Sequence, residues 1–388
     1  MRALAAIGAQ VHGIGDRPRD WLDEELQGWL ASYRQVARIT DEEALEQAVR
    51  QVQDEVWIDR LETVIEAHVM PAARVRERTG IPGTSTRTAW LCRDKPAMKE
   101  ALRAVGVPCA ASAGVSTLAE ARAFADDIGY PLIIKPRDSA GAAGTWRVDD
   151  DASLVQAARE SGLVDGAAVA IEEFVDGHEG FYDTLCVDGN MHHEFVSHYY
   201  PNVLEAMRTR WISPQIVATN RLDAPGYDEV RRMHRDVVAA LGIETTATHM
   251  EWFHGPRGLR FSEIGCRPPG VGQWDGYCAA NEFDLYREWA LAVCHRRTEN
   301  PPSRRYACGI IALRPDGDGH IRGYEGTDGV FHDYRDLIVG HHLPEPGTPT
   351  QGVEAGYKAN AWMRVRHPDF DALREILDDI GRRVQVRA

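Results

Sequence analysis

Apolar and polar positions along this chain alternate between helical and strand-like spacing, and the places where the period changes divide it into three stretches. The first eighty-odd residues read as a helix at 2–7, a strand at 10–14, a helix at 42–52, a strand at 55–59 and a helix at 65–78, an α/β pattern with parallel strands. Domains of this kind usually open on a strand, whereas this chain opens on a helix. Either the first strand is missing or the start lies upstream. Thr79-Gly80-Ile81-Pro82-Gly83 breaks the pattern, and Asp94 then caps a helix over 95–104 that stops at Gly106 and Pro108, so a boundary near residue 88 is expected. The middle stretch reads helix 118–128, strand 131–135, a Gly-rich loop, helix 152–160 and strand 168–174. Antiparallel strands at 181–187 and 191–199 follow, joined by the turn Asp188-Gly189-Asn190. Helices are expected at 227–241 and 283–294, a linker at 300–303, and a small terminal lobe from strands 306–313 and 361–365 and helix 369–382.

The stretch from Gly242 to Gly270 carries the strongest chemical signal. Residues 245–253 are β-branched and aromatic, Gly255-Pro256-Arg257-Gly258 is a turn, and 259–264 is a second short strand. Glu251 lies a few residues before the turn and Glu263 a few after it, so a tight hairpin sets them roughly opposite each other. Two such carboxylates can hold Mg²⁺, and Arg267 adds a fixed cation of the kind that stabilises phosphoryl charge.

Other segments allow more than one reading. Lys135 ends an apolar strand and precedes the small-residue loop Ser139 to Thr145, with Gly141 and Gly144, whose backbone N–H groups could approach phosphate oxygens. An ordinary strand followed by a glycine-rich turn explains it equally well. Glu172, Glu173, Phe174, Val175 and Glu179 put carboxylates and backbone groups at a strand end, suited to an adenine amino group and a ribose diol, or simply solvated. Asp94-Lys95 opens a helix where an anion would feel both dipole and lysine, or forms a plain surface cap. His249 shares a strand face with Glu251, but no third nitrogen or sulfur ligand lies near enough in sequence to favour zinc. Arg210 or Arg208 could hold a substrate carboxylate, and Gly270 could shape an acceptor pocket or a simple turn.

Acidic residues number 59 against 44 basic, a formal net charge of −15, with no dense Lys/Arg run, which argues against a general nucleic-acid binder. Seven scattered cysteines without CxxC fit reduced thiols, and no apolar run approaches the roughly 20 residues that span a bilayer. A cytoplasmic enzyme without a membrane partner is the expectation.

In this order, these motifs resemble the ATP-grasp superfamily over roughly residues 79–300, most closely its carboxylate–amine ligase and amino-acid ligase branch. The resemblance implies an ATP-grasp fold, α/β and α+β, with a Rossmann-like domain at 1–88, an ATP-grasp domain at 89–304 including a lid at about 115–175, and a C-terminal α/β lobe at 305–388. It implies that Lys95 and Lys135 contact ATP phosphates and that Ser139 to Thr145 form the lid loop. Glu172, Glu173, Phe174 and Val175 would form the adenine hinge and Glu179 would bind ribose. Glu251 and Glu263 would hold Mg²⁺, and Arg267 would meet the γ-phosphate and an acyl phosphate; His249, Arg210 and Gly270 are substrate candidates. Gly265 stands where the family often has Asn, so a second Mg²⁺ would lean on water and phosphate. The implied activity joins a small carboxylate to an amine, amino acids or peptides, with release of ADP and phosphate, in a possible homodimer. Carboxyphosphate chemistry, a non-catalytic ATP-binding module and a nicotinamide oxidoreductase are the rivals, the last lacking any GxGxxG after a strand.

Overall fold

A computed structural model describes residues 1–137 and 144–388. In the first stretch, β1 (His12–Gly15) and β2 (Ser32–Gln35) pair in parallel. The helices Glu42–Gln53 and Val69–Thr79 pack beside them through Leu45, Val49 and Val75, with Ile81 just past the second helix in the same core. Asp41 caps the first of these helices by accepting from the N–H groups of Glu43 and Ala44, and left-handed Gly80 (φ 71°) ends the second. The strand expected at 55–59 is absent: this segment is turn and irregular chain, with Trp57 exposed. The second strand is instead Ser32–Gln35, whose partly buried Ser-Tyr-Arg-Gln sequence carries no apolar alternation to reveal it.

Next comes an antiparallel sheet in the order β3-β6-β4-β5, made of β3 (Ser112–Val115), β4 (Leu132–Pro136), β5 (Trp146–Val148) and β6 (Val169–Glu173). Helices Leu118–Ile128 and Asp151–Glu160 cover it, burying Ala121, Leu132, Ile134, Leu154 and Ile171 in a core of its own. Both helices start on capping boxes, Thr117 with Glu120 and Asp150 with Ser153.

The large sheet carries the site. It is antiparallel throughout, in the order β11-β10-β7-β8-β9-β12-β15-β14. Its strands are β7 (His178–Val187), β8 (Asn190–Tyr200), β9 (Gln215–Ala218), β10 (Thr246–Gly255), β11 (Gly258–Gly265) and β12 (Ala307–Leu313). A short pair of β13 (Gly323–Glu325) with β16 (Gln385–Arg387) stands apart, while β14 (Ile338–His342) and β15 (Ala361–His367) complete the large sheet. The C-terminal strands therefore extend the central sheet through β9 and β12. Helix Asp228–Leu241 packs one face through Val237 and Leu241 against Tyr182, Met250 and Trp252. Helices Gln273–Asn281 and Leu285–His295 cover the other, through Tyr277 and Leu285 against Phe181 and Phe195. With both faces covered, β7 is buried along nearly its whole length, Asp183 and Thr184 included. Among the described residues no helix is long and apolar enough to cross a membrane.

Gly180 shows how tight the sheet is beside the site, since a Cβ there would lie 2.4 Å from the Trp252 ring and 2.7 Å from the Ser197 carbonyl oxygen. Gly180→Ala is expected to cost about 1–3 kcal/mol of stability, read as a lowered urea midpoint with an unchanged slope.

Candidate active site

A two-residue turn, Pro256-Arg257, pairs Gly255 with Gly258 and runs the register outward as far as Trp252 opposite Phe261. Continued regularly, that register would set Glu251 against Ser262 and turn Glu263 toward the core. A bulge between Glu251 and Trp252 leaves Ser262 as an extra residue, so Glu251 stands directly opposite Glu263. Phe261 and Ile264 can then both enter the core while the two glutamates, each partly exposed, share the other face.

Lys95 and Lys135 approach from the elements before this hairpin, with Lys99 behind them. Lys95 is the first residue of helix Lys95–Ala104, and its Nζ lies 3.5 Å from Glu263 Oε2. Asp94 caps this helix by accepting from Ala97 N–H at 3.0 Å, and Arg137, just past β4, donates to both Asp94 oxygens at 3.0 Å. Lys135 on β4 and Lys99, one helical turn after Lys95, grip Glu172 from either side at 2.8 and 2.7 Å. Burial pushes the Glu172 carboxyl up, but the two lysines outweigh it and hold it down to about 2.

The expected hinge residues have specific jobs of their own. The Glu172 side chain is committed to the lysine pair. Glu173 pairs with Arg257 at 2.5 Å and accepts from Ala111 N–H at 3.2 Å. Phe174 lies under the Arg147 guanidinium, and Val175 sits half-buried in the link from β6 to β7. Glu179 is buried and accepts from Val203 N–H at 2.7 Å. Burial, then the negative charge of Glu251, pushes its carboxyl up to about 8. Gly144 takes the left-handed conformation at φ 66°, while Ser139 and Gly141 lie outside the described residues.

Arg267 follows β11 and donates through Nε to Glu66 and through Nη1 to the Pro268 carbonyl at 2.7 Å. Glu66, from the first stretch, also accepts from Arg93 at 2.8 Å, and a Cβ on Gly265 would come within 3.4 Å of its Oε2. His249, expected among the substrate contacts, has Nδ1 2.7 Å from Asp183 and Nε2 3.5 Å from Glu251. Burial pulls its imidazole down, but Asp183 outweighs that and the group is pushed up to about 9. Arg210 is engaged by Asp318 at 2.6 Å and the Gly317 carbonyl at 2.5 Å, which directs its charge to the C-terminal segment rather than to the carboxylate hairpin. Gly270 is exposed, with open space where a side chain would be. Glu66, Arg93, Asp183 and Tyr277 carried no local signal in sequence, because each meets its partner across a long stretch of chain. Lys99 did carry one, since four residues from Lys95 means the same helix face.

Residues 94–190 match the family described as carbamoyl-phosphate synthase L chain, ATP binding domain. The chain is 28% identical over 236 residues to the alanine–anticapsin ligase of Bacillus subtilis (strain 168), covering 54% of this chain and 48% of that protein. It thus spans about half the length of the curated relatives it matches first. Over 99% of its length it superposes on 94% of the L-amino acid ligase of Bacillus licheniformis, with a TM-score of 0.79 at 18% identity. The N5-carboxyaminoimidazole ribonucleotide synthetase of Thermotoga maritima gives a TM-score of 0.72 at 15% identity, over 100% of this chain and 95% of that one. The chain has the ATP-grasp fold, and its sequence is similar to amino-acid ligases and, at 25% identity over 313 residues, to the formate-dependent phosphoribosylglycinamide formyltransferase of Janthinobacterium sp. (strain Marseille).

Removing the charge between the two lysines tests this part of the site. Glu172→Gln leaves Lys99, 1% exposed, without its counter-charge and is expected to cost about 3–5 kcal/mol in urea unfolding at neutral pH. Because the folded carboxyl is held at about 2 against an ordinary 4.5, its contribution is present above 4.5 and lost as pH falls toward 2. The gap between wild type and variant should close over that window.

Proposed function

We propose that the chain is an ATP-dependent carboxylate–amine ligase that forms an amide or peptide bond through an acyl phosphate and releases ADP and phosphate. The observation that carries this reading is the pairing of Glu251 with Glu263 across the bulged hairpin, with Lys95 beside Glu263 and Arg267 just beyond it. The similarity to amino-acid ligases supports amino acids or peptides as the substrates.

The chemistry follows from charge. A carboxylate is a poor electrophile at neutral pH, and transfer of a phosphoryl group to one of its oxygens turns that oxygen into a leaving group. Lys95, Lys135 and Arg267 would offset the negative charge of the nucleotide as the carboxylate oxygen attacks. An amine then displaces phosphate. The β3–β6 sheet and its helices would close over the phosphates and keep water from the acyl phosphate.

The residues present also fit Mg²⁺. Glu251 and Glu263 offer hard oxygen donors side by side, and Glu179 is pushed toward its neutral form partly by the charge of Glu251, the crowding a divalent cation relieves. Among the described residues no group of three or more His, Cys, Asp or Glu side chains could hold a metal alone, so phosphate oxygens and water would complete the shell. Bound there, Mg²⁺ would supply neutralisation of the β- and γ-phosphates.

Phosphate release from ATP and Mg²⁺, screened against pools of the twenty amino acids with mass spectrometry of any product, tests the proposal. Pool-dependent release with a condensed mass is the expected result; silence in every pool with ATP still bound would overturn the twenty amino acids as substrates, and silence without ATP binding would overturn the proposal itself. The fold likeness to N5-carboxyaminoimidazole ribonucleotide synthetase supports a second reading, in which bicarbonate is the carboxylate phosphorylated; that reading requires release driven by bicarbonate alone. Arg267→Ala is expected to lower amide formation by about 10²-fold or more while ADP still binds.

A further inference from the structure

Behind Glu251 runs a line of buried polar side chains that the chemistry above does not use. His249 precedes Glu251 by two residues on β10, so both project from one face of the sheet. Its cross-strand neighbour on β7 is Asp183, a carboxylate only 1% exposed. Two donors meet that carboxylate: His249 Nδ1 at 2.7 Å and the Tyr277 hydroxyl at 2.5 Å. The Tyr277 hydroxyl also lies 3.1 Å from Ser197 Oγ, which accepts from Gln273 Nε2 at 3.1 Å. The rings are fixed by packing, His249 edge-on to Phe181 at 4.8 Å and Tyr277 stacked on Phe195 at 4.2 Å.

We propose that Asp183, His249 and Tyr277 are positioning residues that hold Glu251 in its metal-binding orientation and tie it to the helix Gln273–Asn281. The inference rests on the reading of Glu251 as a metal carboxylate. Glu251 faces Glu263 and has Glu179 close enough to feel its charge, so electrostatic repulsion favours rotamers that swing it away. His249 Nε2, 3.5 Å from Glu251 Oε1, supplies the opposing attraction. Asp183 accepts the hydrogen bond from Nδ1–H and thereby turns Nε2 toward Glu251, the arrangement by which an outer carboxylate orients a histidine beside a metal. Tyr277 saturates the far oxygen of Asp183, and with Gln273 it belongs to the helix that begins directly after Arg267 to Gly272. The carboxylate side and the arginine side of the site are thus joined through buried hydrogen bonds. A set of polar residues present only to specify the fold would contain the same contacts but would not make nucleotide binding depend on metal.

Calorimetric titration of ADP, once with Mn²⁺ and once in EDTA, separates the two. For His249→Gln and Asp183→Asn we expect affinity for ADP with Mn²⁺ to fall by about tenfold or more while affinity in EDTA is unchanged. Tyr277→Phe should give a smaller loss of the same kind. If Asp183→Asn fails to fold, the other two variants carry the test. Folded variants that bind ADP with Mn²⁺ as the wild type does, or that lose affinity equally with and without metal, would overturn the positioning role alone. A wild-type protein whose ADP affinity ignores Mn²⁺ would overturn the metal reading of Glu251 and this inference with it.

Discussion

The one-residue bulge at Ser262 is the constraint on which the rest of the site depends. A regular hairpin from the Pro256-Arg257 turn would place Glu263 on the core face, where no cation waits for it. The extra residue restores opposition between Glu251 and Glu263 and still lets Phe261 and Ile264 fill the core. Lys95 meets Glu263 only because the helix it opens packs against the same core, Met98 and Leu102 lying with Phe261 and Ile264.

Charge is distributed around this hairpin in a way that no single pair explains. The chain is acidic overall, yet several acids around the site are each matched: Glu172 by two lysines, Asp183 by His249 and Tyr277, Glu66 by Arg93 and Arg267. Glu179, Glu251 and Glu263 are less fully compensated: Lys95 and His249 each stand 3.5 Å from one of them, and the crowding still drives Glu179 toward protonation. In a low-dielectric interior such crowding is costly, so it marks the place where an external cation would be most strongly bound.

Much of the fold was legible along the chain, and for identifiable reasons. The helix Lys95–Ala104 was marked at both ends, by Asp94 and by Gly106 and Pro108, while Leu118–Ile128 and Asp228–Leu241 were marked by periodicity. The hairpins at Asp188-Gly189 and at Pro256-Arg257 were marked by their turns. Strands with little apolar content escaped, Ser32–Gln35 and Ile338–His342 among them, because edge or half-covered strands need no alternation. The strand expected at 55–59 had β-like residues but no partner to pair with.

The order of the chemistry is written along the chain: a lysine at a helix start, a lysine at a strand end, acids at the next strand end, and two glutamates astride a turn followed by arginine. Those are local facts, carried by caps, turns and short spacings that act within a few residues. Which charge neutralises which is settled only by the folded arrangement. Glu66 reaches Arg267 across 201 residues and Tyr277 reaches Asp183 across 94, and such contacts exist only once the sheet has set its strand order. The same holds for Glu172, whose side chain reads as an exposed strand-end acid until two lysines from different elements close around it.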